Sequence, residues 1–282
     1  MAKVAQEKHL FPLTFFNVLQ KRDLNIALVD CDAEEPNDRE FIRAELQISH
    51  TVTQKVPVID ESKCSYCGKC KEYCNYNAIF FLKDTKMIKV LDELCHGCGA
   101  CSVVCADNAI VEKDDILGSV NQYGVSANSV LIEARMNVGV YSPVNVIKSA
   151  IKKANGYDII LLDSPPGTSC PFIQTVATAD YVVLVTEPTP FGLSDLMQSV
   201  DTLRSMDKSC GVIINRADLG NKDIYDYLQL ENIPLLMTVP FDKKIAVSYS
   251  NGGLLTNLYF DWDLKFYQLY HTITEQYGNS NY

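Results

Sequence analysis

Two segments of the chain, CSYCGKCKEYCNYNAI from Cys64 to Ile79 and CHGCGACSVVCADNAI from Cys95 to Ile110, repeat one another at an offset of 31 and match at eight of sixteen positions. Four of the matches are cysteines, and each copy reads Cys-x2-Cys-x2-Cys-x3-Cys. Three thiolates this close can wrap one corner of an iron–sulfur cube while the fourth turns away to a second cluster. The repeat therefore predicts two [4Fe–4S] clusters. Crossed ligation assigns Cys64, Cys67, Cys70 and Cys105 to one, and Cys95, Cys98, Cys101 and Cys74 to the other.

Zinc and disulfides are the alternatives. A structural zinc usually draws two cysteines from each Cys-x2-Cys knuckle, which leaves a third and fourth thiol surplus in each copy. Disulfides need an oxidising compartment, yet the residues after Met1 lack the apolar core of an export signal. The expected location is a reducing cytoplasm. The segments differ from bacterial ferredoxins after the fourth cysteine, where Asn75 and Ala106 stand instead of Pro. That difference removes no ligand.

The clusters need a body to carry them. With 282 residues, 47% of them hydrophobic, the chain can form one large domain plus a small insert. No apolar run approaches the roughly 18 residues of a membrane span. The net charge of −10 opposes binding to nucleic acid or anionic lipid. Outside the repeat, short apolar runs alternate with longer amphipathic stretches, an α/β rhythm. Strands are expected at 24–29, 129–133, 159–162, 181–185, 211–214 and 234–239. Helices are expected at 143–154 behind the cap Ser142, at 193–206, at 222–231 and at 261–276. The pattern predicts a doubly wound, mostly parallel sheet. A small α+β two-cluster unit, residues 58–113, would be inserted between 1–57 and 114–282. Trp262, Phe266, Tyr267 and Tyr270 in the terminal helix read as a core face, and Cys31, Cys170 and Cys210 as buried thiols.

Several expected strands end in polar residues: Asp30-Cys31-Asp32, Asp163-Ser164-Pro165-Pro166-Gly167, Glu187-Pro188-Thr189 and Asn215-Arg216. Polar groups then converge on one edge of the sheet, where α/β proteins bind nucleotides. Taken in order, VDCDAEEPND, the double cysteine motif, LLDSPPGTSCP, VTEPTPFGLSDL, VIINRAD and PFDKKIAVSYSNGG resemble the MinD/Mrp-type P-loop ATPases that carry an inserted ferredoxin domain. The resemblance covers about residues 24–275. It implies that Asp32 orients the attacking water, Asp163 sits at the magnesium, Asn215 reads adenine, and Pro240 and Phe241 line the base. Cys170, seven residues after Asp163, has the spacing of a cysteine in the nitrogenase iron protein, but no second such cysteine lies between Cys105 and Cys170.

The family also needs a strand followed by a loop like GKGGTGKT, and here the chain departs. AKVAQEKH, Ala2 to His9, falls on that loop and keeps both lysines as Lys3 and Lys8. Val4, Ala5 and Glu7 stand where glycines let backbone amides curl round phosphate, and His9 replaces the hydroxyl ligand of magnesium. Impaired ATP and magnesium binding is the expectation. Two origins stay open: a pseudo-ATPase that leans on an intact partner, or a start site that lies further upstream. The expected function is electron transfer through two clusters on a scaffold that pairs, as a homo- or heterodimer, with a MinD/Mrp-like subunit and meets a redox partner protein. The alternatives are a cluster assembly or carrier protein, and an active ATPase whose N-terminus is missing.

Overall fold

A computed structural model of the chain describes residues 10–259 and 261–277. In chain order the strands are β1 (Ile26–Asp30), β2 (Glu45–Ile59), β3 (Ile79–Leu82), β4 (Met87–Val90), β5 (Ile110–Ser126), β6 (Ser129–Met136), β7 (Ile159–Asp163), β8 (Val182–Thr186), β9 (Cys210–Asn215) and β10 (Leu235–Val239). The helices are α1 (Leu10–Gln20), α2 (Lys69–Glu72), α3 (Ala100–Val104), α4 (Val144–Lys153), α5 (Cys170–Ala177), α6 (Pro190–Ser205), α7 (Asp223–Leu230), α8 (Lys243–Ser250), α9 (Leu255–Leu258) and α10 (Asp261–Tyr277). None is long and apolar enough to cross a membrane.

β1 shows why the body is layered. All five of its residues are buried, and they alternate between two cores. Ile26 and Leu28 face one that holds Phe16 of α1 and Phe266 of α10, while Ala27 and Val29 face the other, with Val146, Ile147 and Ala150 of α4. A strand buried on both faces this way needs helices above and below it. β1 pairs in parallel with β6 and β7, and β9 pairs in parallel with β8 and β10. The parallel core is therefore as expected.

Among the described residues the strands of the body form a five-stranded sheet, β2-β5-β6-β1-β7, and a three-stranded one, β10-β9-β8, while β3 and β4 pair by themselves. One apolar core joins the two sheets of the body, because Leu28 and Leu131 pack in the same cluster as Ile213 and Val239.

Three further elements depart from expectation. α1 is buried nearly all round, so its sequence carries no amphipathic stripe to announce a helix. β2 and β5 form a long antiparallel ribbon running from Glu45↔Gly124 to Ile59↔Ile110. The cysteine repeat hangs from the far end of that ribbon, around its own small core of Cys70, Ile79, Ile88, Cys101 and Ile110. Cys170 is exposed at the start of α5 rather than buried, whereas Cys31 is buried and Cys210 half-buried. In α10, Trp262 and Phe266 are buried and Tyr267 and Tyr270 flank the core.

Candidate functional site

The repeat in sequence is a repeat in backbone. Left-handed residues occur in pairs 31 apart: Tyr66 and Gly97, Gly68 and Gly99, Asn77 and Asn108. Gly68 and Gly99, at φ 80° and 73°, turn the chain into α2 and α3, a conformation that a Cβ disfavours. The cysteines repeat in burial too. Cys70 and Cys101 are buried, Cys67 and Cys98 exposed, and the other four intermediate.

Hydrogen bonds follow the same rule. The Tyr66 and Gly97 amides donate to the Cys64 and Cys95 sulfurs, each at 3.4 Å. Those of Ala78 and Ala109 donate to Cys74 and Cys105, each at 3.3 Å.

Strand pairing then crosses the two copies. The chain entering the first copy pairs with the chain leaving the second, Ile59↔Ile110, and the chain leaving the first pairs with the chain entering the second, Ile79↔Val90. The flanking bonds are equivalent: Asp60 N–H to Ala109 O at 2.7 Å, and Leu91 N–H to Ala78 O at 2.8 Å. Each fourth cysteine is thus carried toward the other copy. A cavity is lined by Cys95, Cys98 and Cys101 of the second copy together with Cys74 of the first.

Half-burial pushes the Cys95 thiol up, and the nearby Cys98 and Cys74 push it further, against the Gly97 amide. Burial raises Cys70 likewise, with Cys64 and Cys67 adding to it and the Lys71 amide opposing. Crowded thiols of this kind stay protonated until positive charge is supplied to them. Among the described residues no three His, Cys, Asp or Glu side chains converge closely enough to hold a single metal ion.

A second polar constellation lies at the carboxyl ends of the parallel strands. Asp30 and Asp163 end β1 and β7 in register, and the Cys31 amide donates to Asp163 O at 2.9 Å. The Asp30 carboxylate accepts from the amides of Asp32, Asn37 and Asp38 at 2.9–3.1 Å, so it shapes the loop that holds Asp32. Sequence reasoning missed Asp38. It is fully buried, and among the described residues neither carboxylate oxygen accepts a hydrogen bond. Burial, and then the charges of Asp163 and Asp30, push its carboxyl well above the ordinary range. The only signal in the sequence was its place in the turn after Asp30.

Asn215 ends β9 and is 7% exposed, with its amide 3.4 Å from Glu187 Oε1. Val239 pairs with Asn215, which brings Pro240 and Phe241 alongside, and the Arg216 guanidinium lies 5.9 Å from the centre of the Phe241 ring. The strand-end residues named from the sequence thus stand in two groups, Asp30 with Asp163 and Glu187 with Asn215 and Arg216. Lys3 and Lys8 lie outside the described residues.

The sequence matches the family described as AAA domain (AAA_31) over residues 14–216. A protein of Methanocaldococcus jannaschii named as the uncharacterized protein MJ0579 is 28% identical over 231 residues, 80% of this chain and 78% of that one. In structure the chain is similar to a ParA family ATPase from Chlorobium tepidum, with a TM-score of 0.57 at 14% identity over 95% of this chain and 94% of that one. It is also similar to the cell division ATPase MinD of Pyrococcus furiosus, with a TM-score of 0.56 at 15% identity over 96% and 95%. With a family match over most of its length and the fold of these ATPases, the chain belongs to the MinD/ParA-type P-loop ATPase family.

Proposed function

We propose that the chain is an iron–sulfur protein whose ferredoxin-like insert, residues 58–113, holds two [4Fe–4S] clusters on a MinD/ParA-like scaffold, and that it carries electrons. The observation that supports this most is the cavity in which Cys74 of one copy meets Cys95, Cys98 and Cys101 of the other. Cys64, Cys67, Cys70 and Cys105 form the equivalent set by the two-fold relation of the backbone. The residues fit the group. A four-iron cube separates its thiolates more widely than a single tetrahedral ion does, so it does not require convergence on one point.

What such a cluster supplies when bound is a reversible one-electron couple. The chain's own residues would set the conditions for it. The four amides directed at Cys64, Cys74, Cys95 and Cys105 would stabilise charge on the sulfurs, and the exposed Cys67 and Cys98 mark where a redox partner protein comes near.

On the scaffold, Lys3 and Lys8 would face nucleotide phosphate, Asp32 the attacking water, Asp163 the magnesium, and Asn215, Pro240 and Phe241 the base. The residue types between the two lysines argue that ATP binding is weak and that a second MinD-like subunit completes the site. Protein purified without oxygen should contain about eight irons and about eight acid-labile sulfides per chain. A colourless protein loaded with zinc would overturn the reading.

A further inference from the structure

The two-fold relation that matches the ligands does not extend to all the residues beside them, and at two pairs of positions the difference is chemical. Ser65 and His96 are equivalent, each following the first cysteine of its copy, and Asp107 and Tyr76 are equivalent, each two residues beyond the fourth. Crossing brings Ser65 to Asp107, where the Ser65 hydroxyl donates to an Asp107 carboxylate oxygen. It brings Tyr76 to His96, and the two rings stack at 3.9 Å between centroids and 18° between planes. Tyr76 and His96 both line the cavity of Cys74, Cys95, Cys98 and Cys101.

We propose that these two pairs make the cluster sites unequal: the Tyr76–His96 stack shields one site from water, and the Asp107 carboxylate, held by Ser65, sets the charge at the other. The inference rests on the two-cluster reading. Adding an electron to a cluster adds negative charge. A carboxylate fixed beside Cys64 and Cys105 opposes that addition and lowers the potential there. Water solvates the more highly charged reduced form, so an aromatic cover over Cys74 and Cys95 lowers the potential at its own site by a different route, and also slows the escape of iron. Each site then has a separate determinant. One is sensitive to a charge change and the other to loss of a ring.

The test is a redox titration followed by electron paramagnetic resonance on the full chain, prepared without oxygen and at low salt, where exposed charges are least screened. Asp107→Asn should raise the midpoint of one centre only, the one that survives in Cys74→Ala, and leave the rate of iron loss to bathophenanthroline unchanged. Tyr76→Ala should leave that centre alone, raise the midpoint of the other, and speed loss of about half the iron several-fold. Tyr76→Phe, which keeps the ring, should behave as the unaltered protein, and His96→Ala should reproduce Tyr76→Ala. Two centres present but unmoved by any variant, or both moved together, would overturn the inference alone. A chain that binds no iron would overturn the two-cluster reading and the inference with it.

Discussion

Cys74 is the residue at which local and crossed ligation part company. It belongs in sequence to the first copy, but it shares a cavity with Cys95, Cys98 and Cys101, and its neighbour Tyr76 stacks on His96. Cys74→Ala should therefore lower the iron content from about eight to about four per chain, with loss of the centre held by the second copy. Loss of the other centre would mean that each motif serves itself. Asp38 permits a prediction of a different kind. Its carboxyl is raised above the ordinary value by burial and by Asp163 and Asp30, so the folded chain keeps a proton that the unfolded chain releases. Its contribution to stability falls as pH rises from the unfolded carboxylate value of about 3.9 until the folded value is passed. Asp38→Asn should remove that decline and raise the thermal midpoint at pH 7, by about 2–4 °C for each kcal/mol in a domain of this size. An unchanged pH slope in thermal melts would sink the idea. The eight cysteines and the Asp163 strand end were legible in the sequence because each is a local pattern. Asp38 was not, since only the fold makes it buried.

At the scale of elements, the β2–β5 ribbon decides how the insert relates to the body. Its strands run uninterrupted from the body into the insert, yet the small core around Cys70 and Cys101 shares no buried residue with the cores of the body. Deleting residues 60–109 and joining Ile59 to Ile110 through Asn-Gly should close the ribbon as a hairpin. The shortened chain should unfold cooperatively, keep its helical circular dichroism and bind no iron. If it failed to fold, the insert would be a structural part of the body. Sequence reading placed the insert at residues 58–113 but missed the ribbon. The first half of β2, Glu45 to Thr51, is exposed, and a strand paired across more than fifty residues leaves little local trace. α1 was missed for the opposite reason. With apolar residues on every face, its sequence has no period to read.

For the whole molecule, the question is what the nucleotide edge can do. Asp30, Asp163, Glu187 and Asn215 stand at the carboxyl ends of their strands, as α/β ligand sites require, but they are divided between two sheets that share a core without sharing hydrogen bonds among the described residues. In the proposed reading the phosphate side would fall to residues 2–9, which lie outside the described residues and carry Val4, Ala5 and Glu7 where glycines would favour the inward curl of backbone amides. Calorimetric titration with magnesium and ATP should show no saturating heat with this chain alone. A dissociation constant in the range of about 1 μM would show that the altered loop still functions. By itself the sequence determined the repeated cysteine motif, the layered α/β body and the strand ends. Those follow from the spacing of thiols along a few turns of chain and from apolar runs that must be covered on both faces. Only the tertiary structure decided that Tyr76 stacks on His96 while Ser65 bonds to Asp107, and that Asp38 lies buried against Asp163. Those contacts join residues 20, 42 and 125 positions apart, and they exist only once strand pairing has closed the loops between them.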